Sequence, residues 1–86
     1  MRSYTTGKCV TVTVGDRFTD IYRDGARVLL VVEIADPWTD AQGRERCSVL
    51  YRVVVRDGKP VATSRVQEID AARLTDPKLY ARVSEQ

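Results

Sequence analysis

The chain has 86 residues, with 14 Lys and Arg against 12 Asp and Glu for a net charge of +2. That length holds one domain around a single small core and leaves no room for a second. Acids and bases are interspersed, with no basic block to suggest a charge-driven polynucleotide binder. The longest apolar run, Val28 to Val32, is far too short to cross a bilayer, so no membrane partner is expected.

In chain order, Met1 to Gly7 is polar and aperiodic and reads as a flexible N-terminal arm. It lacks the apolar centre of a signal peptide, so a cytoplasmic location is the expectation. Residues 8–83 then form the single domain. Lys8 to Val14 alternates strictly, with Val10, Val12 and Val14 set against Cys9, Thr11 and Thr13, the pattern of a half-buried strand. From Gly15 to Arg27 the charges thicken around Phe18, Ile21 and Tyr22, and Asp24-Gly25 supplies a turn dipeptide. This stretch reads as a long folded-over loop pinned by Phe18 and Ile21.

Val28 to Ala35 is an almost continuous apolar strand. Val28, Leu30, Val32 and Ile34 share one face, and because Glu33 interrupts the other, the first face is expected in the core. Pro37 stops this strand, and the turn-rich connection that follows carries Trp38 and Gly43. Arg46 to Arg56 is the central strand. Its odd positions, Cys47, Val49, Tyr51, Val53 and Val55, must point inward, because Arg46, Arg52 and Arg56 on the even face would otherwise be buried without partners.

Asp57-Gly58 reads as a two-residue type I′ turn, which pairs Val55 with Pro60, Val53 with Ala62, Tyr51 with Ser64 and Val49 with Val66. An even loop over Asp40 to Gly43 aligns Val28, Leu30, Val32 and Ile34 with Val55, Val53, Tyr51 and Val49. After Ile69 the period changes. Asp70 caps a helical turn through Leu74, and Asp76 with Pro77 is a second start signal, for a C-terminal helix over 76–83 that sets Leu79, Tyr80 and Val83 on one side.

The order of strand, long loop, strand, loop, strand, tight hairpin, strand and short helical turn, carried by Val10 to Val14, Gly15 to Arg27, the Asp57-Gly58 turn and Asp70 to Leu74, resembles an SH3-like small β-barrel. The resemblance implies a mainly β fold of five strands with a short helical segment at its C-terminal end. The aromatic and acidic signature by which peptide-binding SH3 domains grip proline-rich ligands is not matched in the first loop. In its Arg-rich, Val-rich style the chain is also similar to small proteins of actinobacteria and their phages, which implies an accessory role exerted by binding.

Chemistry is sparse. With no histidine, the commonest general base and transition-metal ligand is missing, so the expectation is a non-enzyme without a cofactor or metal site. Cys9 and Cys47 read as unpaired, half-buried thiols of a reducing compartment. Asp16, Asp20 and Asp24 recur every four residues, but without the spacing of an EF-hand loop.

The outer sheet face is the sharper signal. In the registers above, Leu29, Val54 and Val61 form one row, Val31, Arg52 and Thr63 the next, and Glu33, Leu50 and Arg65 a third. Five aliphatic side chains opposite the core are more apolar surface than a small monomer leaves wet, unless the C-terminal helix covers them. The candidate partner-binding residues are thus Leu29, Val31, Leu50, Arg52, Val54, Val61 and Arg65, with Trp38 either a core lid or a binding hot spot. A protein partner or a second copy is expected, with a nucleic-acid-binding barrel as the alternative and a small-ligand or nucleotide sequestering oligomer as the third reading.

Overall fold

The computed structural model describes residues 1–23, 26–62 and 64–83. The Asp24-Gly25 turn, Thr63 of the expected outer row and the expected fraying of 84–86 lie outside the described residues. In chain order the elements are β1 (Ser3–Thr5), β2 (Thr11–Thr13), β3 (Arg17–Asp20), a 3-10 turn (Ile21–Arg23), β4 (Arg27–Ile34), β5 (Trp38–Thr39), β6 (Glu45–Arg46), β7 (Ser48–Arg56), β8 (Lys59–Pro60), β9 (Gln67–Asp70), α1 (Ala71–Leu74) and β10 (Tyr80–Arg82). All described pairings are antiparallel. The main sheet runs β10-β3-β4-β7, with β8 and β9 sharing the far edge of β7, and β1-β2 and β5-β6 are separate ribbons. The fold is mainly β, and among the described residues the sheets do not close into a barrel.

The alternation of the central strand holds from Cys47 to Val53: Cys47, Val49, Tyr51 and Val53 are buried and Arg52 is exposed, but Val55, expected inward, is only half-buried, because an extra residue at Val54 breaks the period. The β7–β8 turn has Asp57 at φ 52° and Gly58 at φ 78°, and it pairs Arg56 with Lys59 and Val55 with Pro60. Two successive left-handed residues are the type I′ geometry, whose twist matches the flanking strands.

Beyond Pro60 the expected register fails. The chain leaves the sheet and returns three residues out of step, so that Tyr51 faces Gln67 and Val49 faces Ile69. An odd slip exchanges the two faces: Ile69 enters the core while Val66 is left 42% exposed. The shift favours burial, because the larger Ile69 fills the inner face and leads straight into α1, whose Ala71 and Leu74 close the core. Asp70 caps that turn as expected, accepting the Ala72 N–H at 2.8 Å.

Three further expectations are corrected. The N-terminal arm is a strand, with Ser3 to Thr5 paired to β2 and the terminal ammonium donating to the Ile34 carbonyl at 2.7 Å. The first loop contains β3, which places Phe18 on Leu29 in the core, while the Ile21 side chain stays 40% exposed outside it. The C-terminal helix over 76–83 does not form. Asp76 builds a single turn, its carbonyl accepting the N–H groups of Leu79 and Tyr80 and its side chain that of Lys78, and the chain then extends as β10 along β3. Eight residues are too few for a helix without strong packing. The open edge of β3 offers backbone partners instead, and Tyr80 is buried there.

Candidate docking face

The two sides of the main sheet are set by β4 and β7, and their register is not uniform. Val28 pairs with Val55 and Ile34 with Val49, as the even register requires, but between them Leu29 faces Val53 and Val31 faces Tyr51. Two β-bulges produce this. One inserts Val54 on β7 and the other inserts Val32 on β4, so they cancel over the length of the strand.

The middle of β4 is therefore turned over relative to expectation. Leu29 is 0% and Val31 1% exposed, so two of the candidate partner-binding residues belong to the core. The physical reason is that Glu33 breaks only the end of its face. A bulge beside it lets Leu29, Val31 and Ile34 all point inward while Glu33 stays in solvent.

The outer face then consists of rows other than those expected. Arg17, Leu30 and Arg52 lie side by side on β3, β4 and β7; Glu33, Leu50 and Glu68 lie side by side on β4, β7 and β9. A third row holds Thr19, Val28, Val55 and Pro60. The aliphatic members Val28, Leu30, Val32, Leu50, Val54 and Val55 are all half-buried, unlike their inner-face neighbours. The helix that would have covered them is absent, and its residues extend the sheet in its own plane.

Of the other candidates, Arg52 is exposed, and its Nη1 donates to the Ser64 carbonyl at 3.0 Å, tethering the detour between β8 and β9. Val61 is half-buried against the core, donating its N–H to the Val54 carbonyl, and Arg65 is exposed on the detour outside any strand. Trp38 is 53% exposed, which removes the core-lid reading. It stands on the β5-β6 ribbon opposite Arg46 and belongs to none of the three rows. Leu30, Arg17 and Glu68 are outer-face residues that the sequence reading misses. Arg17 and Glu68 carried no signal, because the strand holding Arg17 read as a loop and the register holding Glu68 was three residues off.

Elsewhere the polar groups are absorbed by structure. Asp20 is fully buried and accepts from the backbone N–H and Nε of Arg27 at 3.0 and 2.7 Å. Burial works against its charge, but Arg27 outweighs it and holds the carboxyl below the ordinary carboxylate range. Asp40 closes the β5-β6 turn by accepting the Gln42 and Arg44 N–H groups, and Arg46 joins Asp40 to Asp70. The Tyr22 and Tyr80 rings meet edge to face at 5.6 Å; burial, then the Tyr22 hydroxyl, pushes the Tyr80 phenol up to about 12.

Both cysteines are free. Cys9 is exposed, whereas Cys47 is fully buried with its thiol on the Ala35 carbonyl, and burial followed by the field of Asp70 pushes that thiol up. A groove of about 250 Å³ lies between Thr6 to Val10 and Ala72 to Pro77, lined mostly by apolar atoms. Among the described residues no three His, Cys, Asp or Glu gather as metal ligands, and no helix is long and apolar enough to cross a membrane.

Comparison of the chain with protein-family models, with curated proteins and with solved structures returns no match.

Proposed function

We propose that this protein is a non-enzymatic binding module, of the accessory kind its composition resembles, which docks on a protein through the outer face of its main sheet. One observation carries the reading: a set of half-buried aliphatic side chains that includes Leu30 and Leu50 lies opposite the core, interleaved with the exposed Arg52 and Glu33 on β4 and β7 and flanked by Arg17 on β3 and Glu68 on β9. Aliphatic surface mixed with arginine is the kind of surface from which protein interfaces are built. For the architecture, the reading takes the SH3-like small barrel as the pattern, supported by the long β7 strand, the tight Asp57-Gly58 hairpin and the helical turn α1 after β9.

The test places an apolar photo-crosslinking residue at Val55, half-buried on the same face, and as a control at Arg73, exposed on α1. Protein adducts are expected from position 55, not from 73, and Leu50→Asp should remove them while circular dichroism shows a folded chain. Equal adducts from both positions, or none, would sink the reading. A nucleic-acid partner would instead give nuclease-sensitive adducts and an affinity that falls steeply with salt.

A further inference from the structure

We infer that the partner of the outer face is a second copy of this chain, an inference that rests on the docking-face reading above and goes beyond it. The argument is the order of charges. One row reads Arg17, Leu30, Arg52 and the adjacent row Glu33, Leu50, Glu68, so each aliphatic residue is flanked by two charges of one sign, and the sign reverses between rows. Arg52, Glu33 and Glu68 are exposed.

Such a pattern is self-complementary under one of the two-fold axes available to packed sheets. An axis running across the strands, between the two rows, lays the arginine row of one copy over the glutamate row of the other. Strand positions are kept under this axis, so each arginine is offset sideways by about one strand spacing, ~4.8 Å, from a glutamate of the other copy, and Leu30 by the same offset from Leu50 of the other copy. An axis along the strands would lay like charge over like, which is disfavoured. Two-fold association is isologous, so every pairing made by one copy is repeated by its partner.

The face also has the size for a weak dimer. Four strands at ~4.8 Å and three side-chain levels at ~6.8 Å cover roughly 400 Å² in projection on each copy, about 800 Å² over both, which is below the size of stable interfaces and in the range of weak, transient contacts. Association is therefore concentration-dependent, with the interleaved charges selecting the geometry and the aliphatic side chains supplying the attraction.

The full chain is studied by sedimentation equilibrium from about 10 to about 500 µM, a range suited to an interface of that size. Wild type forms a dimer. Arg52→Glu and Glu33→Arg each weaken it at least about tenfold, because each sets like charges opposite one another. An equimolar mixture of the two variants recovers association to within a few-fold. In the mixed dimer the glutamate introduced at position 52 of one chain meets the arginine introduced at position 33 of the other, while the second pairing, between Arg52 and Glu33, is left native.

A wild type that stays monomeric throughout the range, single variants that dimerise as well as wild type, or a mixture that fails to recover each overturns the inference. The two readings fail separately. If the chain is monomeric yet a crosslinker at position 55, which leaves Arg52 and Glu33 in place, captures a different protein, the second copy is wrong and the docking face stands; if position 55 crosslinks to nothing, both fall.

Discussion

Asp20 joins the two ends of the turn between β3 and β4. Its side chain is wholly buried, and it takes both the backbone N–H and the Nε of Arg27, whose side chain is 15% exposed. Removing one partner of a buried pair leaves an uncompensated charge, so Asp20→Ala should cost about 3–5 kcal/mol of stability, read from a urea midpoint at neutral pH. The pair also gives the acid limb a sign. The folded carboxyl lies below its unfolded value near 4, so its contribution is present above about pH 4 and is lost as pH falls through the lower folded value. Wild type should therefore lose stability more steeply below about pH 4 than Asp20→Asn, which has no proton to take up there. Parallel pH curves for the two proteins would show that the pair contributes nothing.

At the scale of elements, the bulged pairing of β4 with β7 decides what is core and what is surface. Leu29 and Leu30 are neighbours of the same type, yet Leu29 is fully buried between Phe18 and Val53 and Leu30 is half-buried between Arg17 and Arg52. Leu29→Ala should cost about 2–5 kcal/mol, and Leu30→Ala less than about 1.5 kcal/mol, in chemical denaturation of dilute protein. The reverse order would restore the unbroken even register.

That register was half legible. Parity from the Asp57-Gly58 turn correctly pairs Val55 with Pro60, and the parity of the preceding loop correctly pairs Val28 with Val55 and Ile34 with Val49. Neither could reveal the bulges, because an inserted residue leaves no mark in an apolar run where both faces carry Val or Leu. The C-terminal signal was equally ambiguous. Asp76-Pro77 does start a turn, but whether the chain after it coils or extends depends on the free edge of β3, more than fifty residues away in sequence.

For the whole molecule, the outer face is the feature that a lone domain does not require. If two copies share it, unfolding is linked to dissociation, and the melting temperature depends on protein concentration. Over a hundredfold range of concentration the midpoint of wild type should rise by several degrees, while that of Arg52→Glu should stay level. Calorimetry at several concentrations checks this, and a constant wild-type midpoint would speak for a monomer.

Residue order alone was enough for a small mainly β chain, four of the five expected inward positions of the central strand (Cys47, Val49, Tyr51 and Val53, but not Val55), the left-handed Asp57-Gly58 turn and the Asp70 cap of α1. All of these are local. They follow from a period of two, from the placement of arginines that cannot be buried alone, and from turn residues with their own backbone preferences. Tertiary packing was needed to turn Leu29 and Val31 inward, to close the core with Ile69 in place of Val66, and to make strands of the two ends of the chain. It also set Arg17, Leu30 and Arg52 beside Glu33, Leu50 and Glu68. These features depend on bulges, slips and free edges, where the outcome at one residue is settled by burial and backbone pairing with residues far along the chain.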